Sequence, residues 1–205
     1  VLPYIDRYGL LAPDTDPDKV GGRLVAGQTE RVMYTTGDRV FLRLGGEADA
    51  GTRAWYAFSE PQAVRDPETG KPLGYLVEHT GLLEMEGPAD GDLYAARVDR
   101  TYAPIERGDR LYPGEATSSK TRFLPKPAPP MQGRVLRHVG DESMMGQGQM
   151  VVLDLGARHG LQRGHVLLVK ADPRQVEDPQ TEEMVEIPGR QIGTLLVIRT
   201  SEQLS

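Results

Sequence analysis

Glycine and proline interrupt this chain so often that long helices cannot form in it. The sequence contains 24 glycines and 16 prolines in 205 residues, spread without a fixed period. Glycine loses more conformational freedom in a helix than other residues, and proline removes a backbone donor there. The segments between them are short and rich in β-branched and aromatic residues. The expected fold class is therefore mainly β, with little helix.

Eleven segments have the composition of short strands, each bounded by glycine, proline or aspartate. The Asp-Pro-Glu-Thr-Gly-Lys run at 66–71 is typical of a hairpin turn, because proline fixes φ and glycine accepts the left-handed conformation. Residues 1–11 predict only an irregular arm or a short helical turn. The predicted strands are 23–26, 31–34, 39–44, 54–58, 74–85, 94–103, 110–111, 133–139, 149–155, 165–171 and 191–200.

Five short motifs occur twice in the same order, which indicates an internal repeat. Asp66 follows Gly37 by 29 positions, and Asp178 follows Gly148 by 30. Two copies are too few for a solenoid, so the pattern predicts two related small β-barrels or sandwiches. The first copy continues to a Gly-Asp-Arg corner at 108–110 that the second lacks. The second copy is therefore expected to be truncated at its C-terminal end.

A change of composition between the two copies gives the expected domain boundaries. Residues 113–132 are rich in proline, glycine and serine, and the stretch 125–130 favours an extended polyproline conformation. We predict an N-terminal arm at 1–20, a first β lobe at 21–114, a Pro-rich linker at 115–131 and a second β lobe at 132–205.

Composition excludes several classes of function. The formal net charge is −6, which disfavours a general nucleic-acid binder. The chain has no cysteine, so disulfides, zinc–thiolate sites, iron–sulfur clusters and cysteine nucleophiles are absent. No run of about 18 apolar residues occurs, which excludes a membrane-spanning helix.

The sequence matches none of the common catalytic and metal-binding motifs. The sequence has no phosphate-binding loop, no Gly-x-Ser-x-Gly elbow and no His-Glu-x-x-His pair. His138, Asp141 and Ser143 lie close together but fit a polar turn better than a triad, because triads assemble from distant segments. We therefore predict no catalytic, cofactor-binding or metal-ligating residue, and no enzymatic activity. Three further histidines lack metal-ligand spacing and are expected at the surface or at strand edges: His79, His159 and His165.

Three other clusters have competing interpretations. Glu84, Glu86, Asp90 and Asp92 fit a solvated hairpin better than a calcium loop, whose spacing they lack. The Met144-Met145 pair is either a contact surface or a mobile loop tip. The aromatic segment 55–58 is left open between a sugar-binding face and a core strand, with at least one of its aromatic residues expected in the core. Its aromatic residues are Trp55, Tyr56 and Phe58.

Four blocks carry a resemblance to a known family: 31–40, 65–74, 146–166 and 192–200. They resemble the region that follows the LysM module in secreted proteobacterial LysM proteins, a family that includes a secretin-associated protein of type IV pili. That region is related to the carboxyl-terminal domain of a flagellar assembly protein. The resemblance covers about residues 4–205, and the family offers no catalytic motif to transfer.

The resemblance implies a periplasmic, cell-envelope protein. The complete protein would carry a signal peptide and an N-terminal LysM module that binds peptidoglycan, and neither lies in these residues. The region seen here would engage or surround an outer-membrane secretin. Two alternatives remain: a carbohydrate-binding module that uses the Trp55 face, and an envelope hydrolase, for which the sequence supplies no catalytic constellation.

Overall fold

The computed structural model describes residues 7–15, 21–114, 124–140 and 146–205. Within these ranges the chain is nearly all β and contains no α-helix. A 3₁₀ turn covers Ala157–His159 and ends at Gly160, which adopts a left-handed conformation. The prediction of a mainly β fold with little helix is confirmed.

Ten strands, together called the first half, precede the proline-rich segment. They are β1 Tyr8–Leu11, β2 Gly22–Gly27, β3 Met33–Tyr34, β4 Arg39–Leu44, β5 Ala54–Phe58, β6 Gln62–Arg65, β7 Pro72–Pro88, β8 Leu93–Thr101, β9 Ile105–Glu106 and β10 Arg110–Gly114.

Seven strands, together called the second half, complete the described chain. They are β11 Lys126–Pro127, β12 Val135–Val139, β13 Met150–Leu153, β14 His165–Lys170, β15 Arg174–Glu177, β16 Met184–Ile187 and β17 Gln191–Leu196.

The first half contains a closed barrel of six antiparallel strands. The strands follow the order β7-β5-β10-β2-β4-β8, and β8 pairs with β7 to close the ring. Closure leaves no unpaired strand edge in the barrel. Its interior is filled by buried side chains from these strands and from β3 and β9: Leu24, Tyr34, Val40, Leu42, Trp55, Ala57, Leu83, Ala96, Val98, Ile105 and Leu111.

The 17-residue strand β7 extends beyond the barrel. Its first part pairs with β1 on one side and with β6 on the other. The expectation of an irregular arm or helical turn is therefore wrong at Tyr8–Leu11, which forms a four-residue strand. The local sequence has only a weak strand pattern there, and the strand forms because β7 supplies its backbone hydrogen-bond partners.

In the second half the described strands form small, separate sheets. One sheet has the order β11-β14-β17, and β12 pairs only with β13 and β15 only with β16 within the described ranges. Its own apolar cluster centres on Leu153, Leu155, Leu161 and Val197. A second cluster joins the halves, because Val64 and Leu76 of the first half pack with Val152 and Leu204.

The strand pairing of β2 with β4 recurs in the second half at a constant offset. Leu24 pairs with Leu42, and Val135 pairs with Leu153, each residue lying 111 positions later. Both pairs of strands shift register directly after this position, at Leu24/Ala26 and at Val135/Arg137. A bulge at the same offset indicates that the two pairs share one local architecture.

The pairing of β5 with β7 recurs in the same way. Trp55 pairs with Leu83, and Leu167 pairs with Leu195, each residue lying 112 positions later. The register shift at Ala57/Phe58 likewise returns at Val169/Lys170. Five sequence motifs and two strand pairings therefore repeat in the same order along the chain.

The two copies also share one turn. Asp66 accepts hydrogen bonds from the amides of Glu68 and Thr69 at 2.8 and 2.9 Å. Asp178 accepts the corresponding bonds from Gln180 and Thr181. Hydrogen bonds from the Thr69 and Glu68 amides lower the pKa of the Asp66 carboxyl. The hairpin turn predicted at 66–71 is present, and its copy has the same bonds.

One position in the second turn is strained. Gly70 has φ of 69° in the first turn, and the equivalent Glu182 has φ of 58°. We expect Glu182→Gly to raise the free energy of unfolding by about 0.5–1 kcal/mol, because glycine adopts this conformation without steric cost. Urea unfolding followed by circular dichroism measures the change. The opposite change in the first turn, Gly70→Ala, should lower the free energy of unfolding by about 1 kcal/mol. A Glu182→Gly variant that is no more stable than the parent would contradict the conclusion that Glu182 is strained.

The expected linker at 115–131 lies partly outside the described residues, which omit 115–123. Its described end joins the second half, since β11 pairs in parallel with β14 and Lys126 donates its amide to the carbonyl of Gly164 at 2.9 Å. An extended, proline-rich segment can add to a strand edge, because polyproline and β geometries are close.

Candidate protein-binding site

Of the triad considered at His138, only His138 itself lies within the described residues. His138 lies on β12, and neither of its ring nitrogens has a hydrogen-bond partner among the described residues. Asp141 and Ser143 lie outside those residues, as does the Met144-Met145 pair.

The other three histidines were expected at the surface or at strand edges, but His79 lies buried within β7, and His165 is buried at the start of β14. His79 is fully buried, stacks on Tyr56 with ring centroids 4.1 Å apart, and contacts the Tyr112 hydroxyl at 2.5 Å. His165 is also buried, and its Nδ1 accepts the Gln162 amide at 3.1 Å. Both rings have structural partners that sequence spacing cannot reveal. Only His159 is exposed.

No metal centre is found in the part of the chain that the structure describes. There, no group of three or more histidine, cysteine, aspartate or glutamate side chains could hold an ion. Burial raises the pKa of the Tyr112 hydroxyl, so Tyr112 stays neutral beside His79.

Three of the four acidic residues considered for calcium are paired with arginines. Glu86 contacts Arg39 and Arg97 at 2.7 and 2.8 Å, and these contacts lower the pKa of its carboxyl. Glu84 likewise pairs with Arg53, directly before β5, and Asp92 pairs with Arg43 on β4. Because these carboxylates are neutralised separately, they do not converge on one point. The solvated hairpin is the interpretation that these contacts favour.

The sugar-binding face proposed at Trp55 is not present. Trp55, Tyr56 and Phe58 are all buried, and the indole nitrogen of Trp55 donates to the Thr52 carbonyl at 2.9 Å. Strand β5 is covered on both sides: Trp55 points into the barrel, and Phe58 packs with Leu11 beneath β1. The alternation of side chains along a strand predicts an exposed face only where one side of the strand meets water. Both sides of β5 are covered, so no such face exists.

The single tryptophan gives a direct measurement of this burial. We expect a blue-shifted emission with little quenching by iodide, because the indole is fully buried. Soluble peptidoglycan fragments should leave the spectrum unchanged. An emission shift on adding glycan, with the chain still folded by circular dichroism, would restore the Trp55 face as a binding site.

Exposed apolar side chains are concentrated in the second half. Leu168 on β14 is 61% exposed, whereas the equivalent Tyr56 on β5 is 3% exposed. The exposed apolar side chains of β14–β17, called here the exposed apolar surface, lie on four successive strands. Side chains gathered in this way mark interaction sites more often than singly scattered ones do. The large apolar side chains exposed on β14–β17 are Leu168, Val176, Met184, Val185, Ile187, Ile192 and Leu196.

The core positions that recur in both halves also differ in burial, and again those of the second half are the more exposed. In the barrel, Val40 and Leu83 are fully buried, but the equivalent Val151 and Leu195 are only partly buried. The barrel core is covered by residues from β8, β9 and β10, and the described second half has no strands equivalent to these. Those covering residues are Ala96, Val98, Ile105 and Leu111.

A groove, called here the β13 groove, runs along the uncovered edge of the second half. One wall is β13 itself, the other is Ile198 and Arg199, and its floor includes Tyr8–Leu10 and Leu76 of the first half. It encloses a volume of only about 40 Å³. At the offset of 112, Ile198 and Arg199 correspond to Glu86 and Gly87, which lie beside β8. The β13 groove therefore occupies the place that β8 fills in the barrel.

The fold places the chain among the mainly β proteins built on a closed barrel, with a second β half that the described strands leave open. The chain matches no protein-family model, and no curated protein matches its sequence. None of the described helices is long and apolar enough to cross a membrane. The resemblance to LysM proteins stays a prediction from the residues.

Proposed function

We propose that this chain is a non-enzymatic accessory protein of the cell envelope, whose second half binds a protein partner in the periplasm. The observation that supports this is the contrast between the halves: the same core positions are sealed in the first and partly open in the second. Partly open apolar positions beside unpaired strand edges favour binding another polypeptide.

The sequence resemblance suggests the partner. In the LysM family the corresponding region associates with an outer-membrane secretin of the type IV pilus machinery, and we propose the same partner here. A secretin is a ring of identical subunits, so several copies could bind around it and gain avidity from modest individual contacts. A LysM module outside these residues would attach the whole protein to peptidoglycan.

A pull-down of the secretin tests the proposal. The tagged 205-residue chain, without any LysM module, should retain the secretin of the same organism from solubilised outer membranes. Leu168→Asp should reduce retention about tenfold, because it places a charge within the exposed apolar surface.

Val32→Asp is the control, since Val32 is also apolar and, at 78%, more exposed than Leu168, but lies in the first half. We expect it to retain the secretin as the parent does. Failure of the parent chain to retain secretin contradicts the proposed partner, and equal losses in both variants contradict the proposed surface.

A further inference from the structure

We propose that copies of this chain join head to tail: the β15–β16 hairpin of one copy packs on the outer face of β2 and β4, called here the receiving face, of the next. This contact repeats between copies the contact that joins the two halves of one chain. The inference goes beyond the proposed function, because it assigns the hairpin part of the exposed apolar surface to self-association. Leu168 on β14, which the pull-down tests, lies outside the hairpin.

The contact between the halves shows what such a hairpin and its receiving face require. In the first half, the hairpin of β6 and the start of β7 packs through Val64 and Leu76 in one cluster with Val152 of β13. Val64 and Leu76 are only 2% and 6% exposed. In the turn of the same hairpin, Glu68 forms an ion pair with Arg134 of the second half at 2.6 Å. The contact therefore combines an apolar centre with a charged pair at its edge.

The second half has the equivalent hairpin with its apolar side chains exposed. Because β15 pairs with β16 as β6 pairs with β7, Val176 corresponds to Val64. Ile187 corresponds to Leu76 in the same way. Val176 and Ile187 are 41% and 39% exposed, although their equivalents are buried in the contact between the halves. The second hairpin therefore presents the apolar positions of that contact without a covering surface.

The first half has the equivalent receiving face. Phe41 corresponds to Val152, because β2 pairs with β4 as β12 pairs with β13. Val40 and Leu42 on either side of Phe41 point into the barrel core, so Phe41 faces outward. Phe41 and Val25 are only partly buried. The apolar residues Leu136, Val152 and Leu204 of the contact between the halves correspond to Val25, Phe41 and Leu93.

The charges of the two free surfaces are complementary. Residues 174–187 include five acidic residues and one arginine, whereas the first hairpin, 62–76, has two acidic and two basic residues. Arg23 precedes Leu24 as Arg134 precedes Val135, so it holds the place of the arginine that binds the first hairpin. Arg23 is exposed and forms no ion pair within the described residues. An acidic hairpin therefore meets an available arginine, which favours this pairing of surfaces.

A second copy is the occupant that the chain itself supplies. The outer side of β13 is already covered by the first hairpin of the same chain, which leaves the receiving face on β2 and β4 for the second hairpin. The two free surfaces differ from each other and lie on different halves. Their contact is therefore heterologous, and it builds open chains or closed rings.

Analytical ultracentrifugation of the 205-residue chain tests the hairpin. The average mass should rise between about 1 and about 100 μM protein, because a single hairpin gives a small interface. Val176→Asp should keep the chain monomeric over this range, since it places a charge in the apolar centre of the contact. Leu124→Asp is the control, because Leu124 is 84% exposed in the second half but outside the hairpin, and it should associate like the parent.

Two variants test the receiving face. Phe41→Asp should keep the chain monomeric, with its fold checked by circular dichroism. Arg23→Glu changes an exposed residue and serves if Phe41→Asp does not fold; it should weaken association about fivefold, because it places like charges opposite the acidic hairpin. A mixture of Val176→Asp with either variant should form pairs and nothing larger, since one chain supplies the receiving face and the other the hairpin.

A parent chain that stays monomeric at about 100 μM overturns the inference. It is also overturned if Val176→Asp associates like the parent, or if the mixed variants form no pairs. A contact between two like hairpins would leave Arg23→Glu fully associated, which contradicts the receiving face. Retention of the secretin enters none of these outcomes, so this inference and the proposed partner fail separately.

Discussion

Trp55→Ala is expected to lower the free energy of unfolding by about 3–5 kcal/mol, which is a large part of the stability of a typical domain. The indole fills the centre of a closed barrel and is fully buried, and its hydrogen bond to Thr52 is lost as well. Because β5 is paired on both sides within that barrel, the surrounding strands cannot collapse into the cavity. Urea unfolding followed by far-ultraviolet circular dichroism measures the loss without needing tryptophan emission.

Leu167→Ala is the matched control, because Leu167 holds the equivalent position in the second half. It is already partly exposed, so its truncation should cost less than about 2 kcal/mol. Equal losses in the two variants would contradict the conclusion that the first core is sealed and the second is partly open.

Gly81→Ala is the second change with a large expected effect. A Cβ at Gly81 would overlap the Ile105 side chain and lie 2.8 Å from the carbonyl oxygen of Arg100. A backbone atom cannot move aside as a side chain can, so we expect a loss of about 1–3 kcal/mol in the free energy of unfolding. Thermal unfolding followed by circular dichroism measures it.

Gly193→Ala tests whether that cost comes from β9 and β8 covering the strand. Gly193 is equivalent to Gly81, but a Cβ there would meet only Val169 at ordinary contact distances of 3.9 and 4.0 Å. The variant should be neutral or more stable by about 0.5–1 kcal/mol, since alanine restricts the unfolded chain. A loss as large as that of Gly81→Ala would show that glycine is needed for strand geometry and not for close packing.

Local signals in the sequence predicted much of the secondary structure. Gly37 and Gly148 precede β4 and β13 with φ of 93° and 87°, a conformation that favours glycine. The turns that begin at Asp66 and Asp178 are held by hydrogen bonds between residues that are close together in the sequence. Such features depend on a few neighbouring residues, so they can be read from one chain.

Pairing between distant strands was not predictable in this way. β1 is short and has no strong strand pattern, and it forms because β7 lies beside it, about 65 residues later. The burial of His79 depends on Tyr56 and Tyr112, which reach it from two other strands. Closure of the first barrel depends likewise on β10, which pairs with the distant strands β2 and β5, and repeated motifs do not specify these contacts.

The candidate site was missed for a related reason. Reactive groups and aromatic residues are the signals of a binding site that a sequence displays, and the aromatic residue they indicate, Trp55, is enclosed by the barrel. The β13 groove is defined by an unpaired strand edge, and backbone groups leave no distinct residue type in the sequence. The repeated order of motifs was the usable signal, because comparing the copies shows which strands the second one lacks.

The continuous strand β7 has a mechanical consequence. It is up to about 55 Å long at normal strand rise, and one end belongs to the barrel wall while the other supports the apolar contact with Val152 and Leu204. A force applied to the second half along β7 would therefore act on the barrel in shear. It would strain many backbone hydrogen bonds at once instead of breaking them one after another.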